Sequence, residues 1–335
     1  MPALTAPPES PAARAAAVVR KHAHPRDHAL LLALLEYAPN DKGRANVAHK
    51  IIQCGDSYKA EGDSRCLSQV ADYFWRNVIL PVRVTGGKTP EPRSRLSHSG
   101  LSSGGNVRSP DETEAINDLK SVIELASERD RHRCVISGKL DPESIANGPA
   151  TFPTPSSGLE VTRAAHIIPF SLRDSSSGGS AVSGHLPAIW SALECFGGTD
   201  LGALMHGGIN SLDNVITLSA TVHRYFTELQ VALEPIPDTP HTYAVRTWGK
   251  VAPRLGLPKT VKLPSSSPDA PPPNPAYLAL HCAICRVLWA SARAEELKDV
   301  LDDLEEVALL AADGSSANLI NIAIYRSLAL SKVES

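Results

Sequence analysis

Two histidines and an asparagine in the middle third of the chain are the residues whose types and spacing could do chemistry: His166, Asn214 and His223. Imidazole titrates near neutral pH, so it can take a proton from water or give a lone pair to a divalent cation. An asparagine amide does neither; it hydrogen-bonds nearby backbone and fixes the shape of a turn. His166 closes a short β-type run, LEVTRAAH, and the chain stops being extended at Pro169. His223 stands in a helix start, SATVHRYF, after an apolar run, and Asn214 lies in the turn nine residues before it. A base that deprotonates water in line with a leaving oxygen, and positive charge on the phosphate, are what phosphodiester hydrolysis requires.

Either histidine alone reads as a satisfied core residue. The joint pattern is more specific: strand, His-x-x-Pro, Asn, then His at a helix start. From about Cys134 to about Trp248 it resembles the fungal-type HNH endonuclease family. The resemblance implies an α+β chain with a central ββα-metal HNH nuclease domain carrying insertions, flanked by N-terminal and C-terminal helical segments. It implies a metal-dependent HNH endonuclease that hydrolyses phosphodiester bonds in DNA, with His166 as general base, Asn214 as orienting residue and His223 as metal ligand. The cofactor is then a divalent ion, Mg2+, Mn2+, Ni2+ or Zn2+, and the partner is nucleic acid. Ala165 departs from the pattern, because many HNH enzymes carry Asp or His there as a metal ligand. Asp213, Glu160, Asp174 and His206 are the candidates to replace it, unless water and substrate phosphate complete the sphere. Arg224 is placed either to meet phosphate or to be an ordinary surface arginine. The alternative function is a catalytically degenerate HNH-fold module that binds nucleic acid or a protein partner.

The elements that must position these residues can be read from the same chain. A helix is expected over Asp111 to Arg133, ending in a basic cluster of Arg129, Arg131, His132 and Arg133, and then a short strand and turn at Cys134 to Gly138. Ser137 stands where a zinc knuckle would have its second cysteine, so Cys134 reads as a buried thiol. Between the two halves of the motif, Ser175 to Gly184 reads as loose. His185 to Gly197 reads as a helix burying Ile189, Trp190, Leu193 and Phe196, over or beside the site. Ser219 or Thr221 is expected to cap the helix of His223, and Leu229 to Leu233 to pair with Tyr243 to Trp248 as a hairpin. The domain organisation expected is a helical region over 1–84, a Ser/Gly/Pro-rich linker over 85–110 and the HNH nuclease-like domain over 111–250. A proline-rich joint over 251–275 and a helical region over 276–335 follow, with Cys282 and Cys285 as core residues.

Composition bounds the rest. With 42% apolar and 21% charged residues in 335, the chain is globular, and its 27 prolines cluster at the joints. A net charge of −3 means that any phosphate-facing patch must be local. The six cysteines follow no disulfide-framework spacing, which points to a reducing, intracellular setting, soluble in nucleus or cytoplasm. No apolar run is long enough to cross a membrane, and the start lacks the apolar core of a secretory signal. No aromatic stacking platform or 2′-hydroxyl reader separates RNA from DNA, and nothing in the pattern fixes an oligomeric state.

Overall fold

A computed structural model describes residues 10–61, 65–85, 110–147, 157–172, 185–206, 208–263, 270–298 and 301. The linker after residue 85, the loose insertion with Asp174, and most of the second C-terminal helix lie outside them.

Prolines and caps set where the first helices begin. The Ser10 hydroxyl accepts from Ala13 N–H at 3.2 Å, and Pro11 opens α1 (Pro11–His22), where its missing N–H costs nothing. Pro25 opens α2 (Pro25–Tyr37) in the same way, with His24 Nδ1 accepting from Arg26 N–H at 3.3 Å. Then come α3 (Asp41–Glu61) and α4 (Arg65–Phe74), which passes through a π turn, Trp75–Ile79, into α5 (Leu80–Thr85). Cys54 of α3 is disulfide-bonded to Cys66 of α4. This corrects the reading of the cysteines as scattered: α3 and α4 pack on each other and bring together two residues whose spacing fits no framework.

The central elements are α6 (Pro110–Arg129), α7 (Pro142–Asn147), β1 (Thr162–His166), α8 (Leu186–Gly197), α9 (Gly202–Met205), β2 (Val215–Ser219) and α10 (Ala220–Thr227). β1 and β2 run antiparallel, with His166 opposite Val215 and Thr162 opposite Ser219. β2 is buried along its whole length, and both α6 and α10 pack against it. α6 ends earlier than its sequence led us to expect, because Arg131 and His132 adopt left-handed φ values of 57° and 53°. Cys134 to Gly138 is a turn rather than a strand. Gly138 N–H reaches Cys134 O at 2.9 Å, and Ser137 N–H reaches the buried Cys134 sulfur at 3.2 Å.

Arg129 does not belong to a solvated basic cluster. It is buried in a two-pronged pair with Asp130, Nε to Oδ1 at 2.8 Å and Nη2 to Oδ2 at 2.9 Å. Its guanidinium also donates to Leu212 O at 2.6 Å and Val215 O at 2.7 Å. Asp130 Oδ2 accepts from Thr217 N–H at 2.9 Å, and Val135 N–H donates to Thr217 O at 2.9 Å. The edge of β2 away from β1 is thus closed by a side-chain carboxylate and a turn, as buried backbone groups require.

A second sheet has the order β3 (Val231–Pro235), β4 (Thr242–Thr247), β5 (Thr260–Lys262); the hairpin was expected, the three-residue third strand was not. α11 (Pro275–Ala290) packs on β3 and on α2, and Arg293 beyond it pairs with the buried Asp27 of α2 at 2.9 Å. The insertion helix α8, expected over or beside the site, takes its main packing from α3 and the π turn. Asn40 and Asn46 donate to Gly197 O at 2.7 Å and Cys195 O at 2.9 Å. A Cβ on Gly43 would lie 2.2 Å from Phe196 O, so only glycine permits the approach. The flanking helices and the central strands therefore share one apolar core. Among the described residues no helix is long and apolar enough to cross a membrane.

Removing Asp130 would strand a buried guanidinium. Asp130→Ala is expected to lower unfolding free energy by about 3–5 kcal/mol in urea titrations, and Arg129→Met/Asp130→Leu by less than Asp130→Ala alone.

Candidate active site

β1 carries His166 at its last position, and α10 follows β2 without a loop, so His223 stands one turn into a helix seated on both strands. Ser219 occupies the N-cap position of α10 but makes no capping bond; among the described residues its buried hydroxyl has no hydrogen-bond partner. The cap comes from across the strand. Glu160 Oε1 accepts from Thr221 N–H at 2.7 Å while Oε2 accepts from Lys139 Nζ at 2.9 Å. Burial pulls the Glu160 carboxyl upward, but the bonds from Lys139 and Thr221 outweigh it and hold the pKa below the ordinary value. Glu160, one of the candidate metal ligands, is thereby committed to holding the helix.

His166 and His223 are both buried, at 7% and 8% exposed. Burial drives the His166 pKa down to about 4, against the upward pull of Asn210 and with a further downward push from the charge of His223. The two imidazoles are therefore near enough to feel each other, and His166 is neutral at neutral pH. Its Nε2 lies 3.1 Å from Asn210 Oδ1, and its ring lies 5.4 Å from that of Phe170.

Asn214 is fully buried and uses its whole amide. Oδ1 accepts from Ile168 N–H at 2.9 Å, and Nδ2 donates to Ile168 O and Ile209 O, both at 3.0 Å. Its backbone O accepts from Ile167 N–H at 2.8 Å. The amide thus locks the segment leaving His166 against the turn Gly208–Asn210. Asn210 was not singled out from the sequence. It sits in a polar run, NSLDN, where nothing marks one asparagine above another.

Of the other candidate ligands, Asp174 lies outside the described residues, and among the described residues Asp213 and His206 join no group that could hold a metal. Asp213 accepts from the Ser211 hydroxyl, and His206 is exposed at the end of α9. Ala165 is buried opposite Ile216. Arg224 is solvent-facing and paired with Glu228 at 2.9 Å. Among the described residues no three His, Cys, Asp or Glu side chains form a group that could hold a metal ion. His223 could give one nitrogen, but the described imidazoles and amide do not by themselves fit a hard divalent cation. The buried Cys282 and Cys285 lie within α11, where Cys285 Sγ is 3.8 Å from His281 Nδ1, as core residues.

A family model described as HNH endonuclease matches residues 134–234. The matched stretch contains β1, β2, α10 and all three residues of the expected constellation. No curated protein and no solved structure matches the chain.

Asn214→Ala would leave buried backbone groups at Ile168 and Ile209 without partners, and should cost about 2 kcal/mol or more in chemical denaturation. The pH dependence has a definite sign. His166 and His281 are both pushed down to about 4 by burial, against 6.5 when exposed. Below pH 6.5 the unfolded chain takes up protons that the folded one refuses, so stability is full above 6.5 and falls towards 4. Urea midpoints should drop between pH 7 and 5, and drop less in His281→Gln.

Proposed function

Starting from residues 134–234 as an HNH endonuclease-family domain, we propose that the chain is a nuclease that hydrolyses phosphodiester bonds in DNA at a ββα site. The observation that carries this reading is His166: a neutral imidazole at a strand end, beside a second imidazole and held by an amide-pinned turn. His166 takes a proton from water as the oxygen attacks phosphorus, Asn214 keeps the strand exit in shape, and His223 stands on the helix that packs on both strands. The expected divalent ion is given no step, because the described donors do not fit one.

The test is cleavage of plasmid DNA and of a single-stranded RNA by the full chain with Mg2+, Mn2+, Ni2+, Zn2+ or chelator. His166→Ala should lower the rate by about 100-fold or more. Equal cutting by wild type and variant would remove His166 as the base. A second reading, a degenerate HNH-fold module that binds nucleic acid without cutting, is favoured by Ala165 and by the incomplete ligand set among the described residues. Retained DNA binding, with no cleavage under any cation, would establish it in place of the first.

A further inference from the structure

We propose that the outer margin of the second sheet, marked by Lys250, Arg254, Lys259 and Lys262, binds the phosphate backbone of nucleic acid. The partner rests on the nuclease reading above; the surface itself lies beyond residue 234, where the likeness to the HNH family ends. From Thr239 to Pro268 the chain holds five lysines and arginines and no aspartate or glutamate. That segment carries +5, which leaves −8 on the rest of a chain whose total is −3. Any phosphate-facing patch on such a chain has to be local, and this segment is one.

The fold strings these charges along one edge. β5 is the last strand of its sheet and pairs with β4. Lys262 stands opposite Thr242, and Lys259 O accepts from Val245 N–H at 2.9 Å. Lys250 follows Trp248, whose N–H donates to Gln230 O at 2.9 Å, and the Arg254 guanidinium donates to Lys250 O. The four cations therefore succeed one another along β4 from Thr242 to past Trp248, a span of about 20 Å at about 3.4 Å per residue. About six nucleotides of one duplex strand rise through the same length.

All four side chains belong to exposed residues, and among the described residues none of them pairs with a carboxylate. The three strands and their turns carry two carboxylates. Glu234 is held by Arg246 and by Arg286 of α11, and Asp238 is exposed at the β3–β4 turn. Exposed cations without partners gather counterions only when a polyanion arrives, and the ions that the polyanion sheds drive its binding. α10, which bears His223, packs on β3 as well as on β1 and β2, so the sheet and the candidate site share a helix. Lysines on a sheet edge also discourage another strand from adding itself, a role that experiment separates from phosphate binding.

The experiment follows binding of the full chain to a short DNA duplex by fluorescence anisotropy, in chelator, over a range of salt concentrations. Lys250→Gln/Lys259→Gln/Lys262→Gln should weaken binding by about tenfold or more. It should also reduce the slope of log Kd against log salt by about 2 to 3, since each phosphate contact contributes about 0.9. The same three positions changed to arginine should bind as wild type does. Lys21→Gln/Lys42→Gln/Lys120→Gln removes equal charge from exposed positions on α1, α3 and α6, and should bind within about twofold of wild type. No binding by wild type, equal weakening in both glutamine triples, or an unchanged slope in the sheet triple overturns the proposal. Unchanged binding with new self-association in the sheet triple assigns the lysines to guarding the edge and overturns it too. Polyglutamate bound as tightly as the duplex, and released by the same triple, overturns nucleic acid as the partner. If wild type binds with the expected slope but cuts with no cation, the surface stands and the nuclease reading falls. If the sheet triple binds and cuts as wild type does, the surface falls and the nuclease reading stands.

Discussion

One buried amide sets the geometry on which the site depends. Asn214 has no exposure, and each of its polar atoms meets backbone: Ile168 twice, Ile209 once, and Ile167 through its own carbonyl. These are groups that would otherwise be orphaned where β1 ends and the chain turns away from its partner strand. An amide is suited to this place because it is neutral, short, and donor and acceptor at once. A carboxylate could not donate to the two carbonyls, and a longer side chain would not fit between them. The strand exit, the turn and the imidazole between them are therefore fixed by one set of bonds.

The site combines a shape legible in sequence with bonding that is not. His166, Asn214 and His223 stand out because strand-end and helix-start positions are encoded locally, by Pro169 on one side and the switch from VITLS to ATVHRYF on the other. The proline-led helices and the β3–β4 hairpin are local in the same sense. What the sequence hides is pairing across distance. Glu160 caps a helix sixty residues further on, Arg129 reaches carbonyls of Leu212 and Val215, and Cys54 meets Cys66 only because two helices double back. Asn210 is hidden for a different reason: it differs from its polar neighbours only by what the fold places opposite it.

Several carboxylates around the motif are committed to structural partners. Glu160 is held by Lys139 and a helix start, Asp130 by Arg129, Asp27 by Arg293, and Glu228 by Arg224. Burial disfavours the charged form of an imidazole. His166 follows that rule, and its neutrality is a product of the packing as much as of the residue type.

The closing of β2 by Arg129 and Asp130 changes where the working unit begins. Both residues precede Cys134, where the likeness to the HNH family starts. A fragment trimmed to the recognisable stretch would retain every motif side chain yet expose the raw amide of Thr217 to solvent, with an unpaired strand margin inviting another chain to add itself. The smallest self-sufficient piece is therefore larger than the portion that similarity marks out, and its true border is drawn by an ion pair.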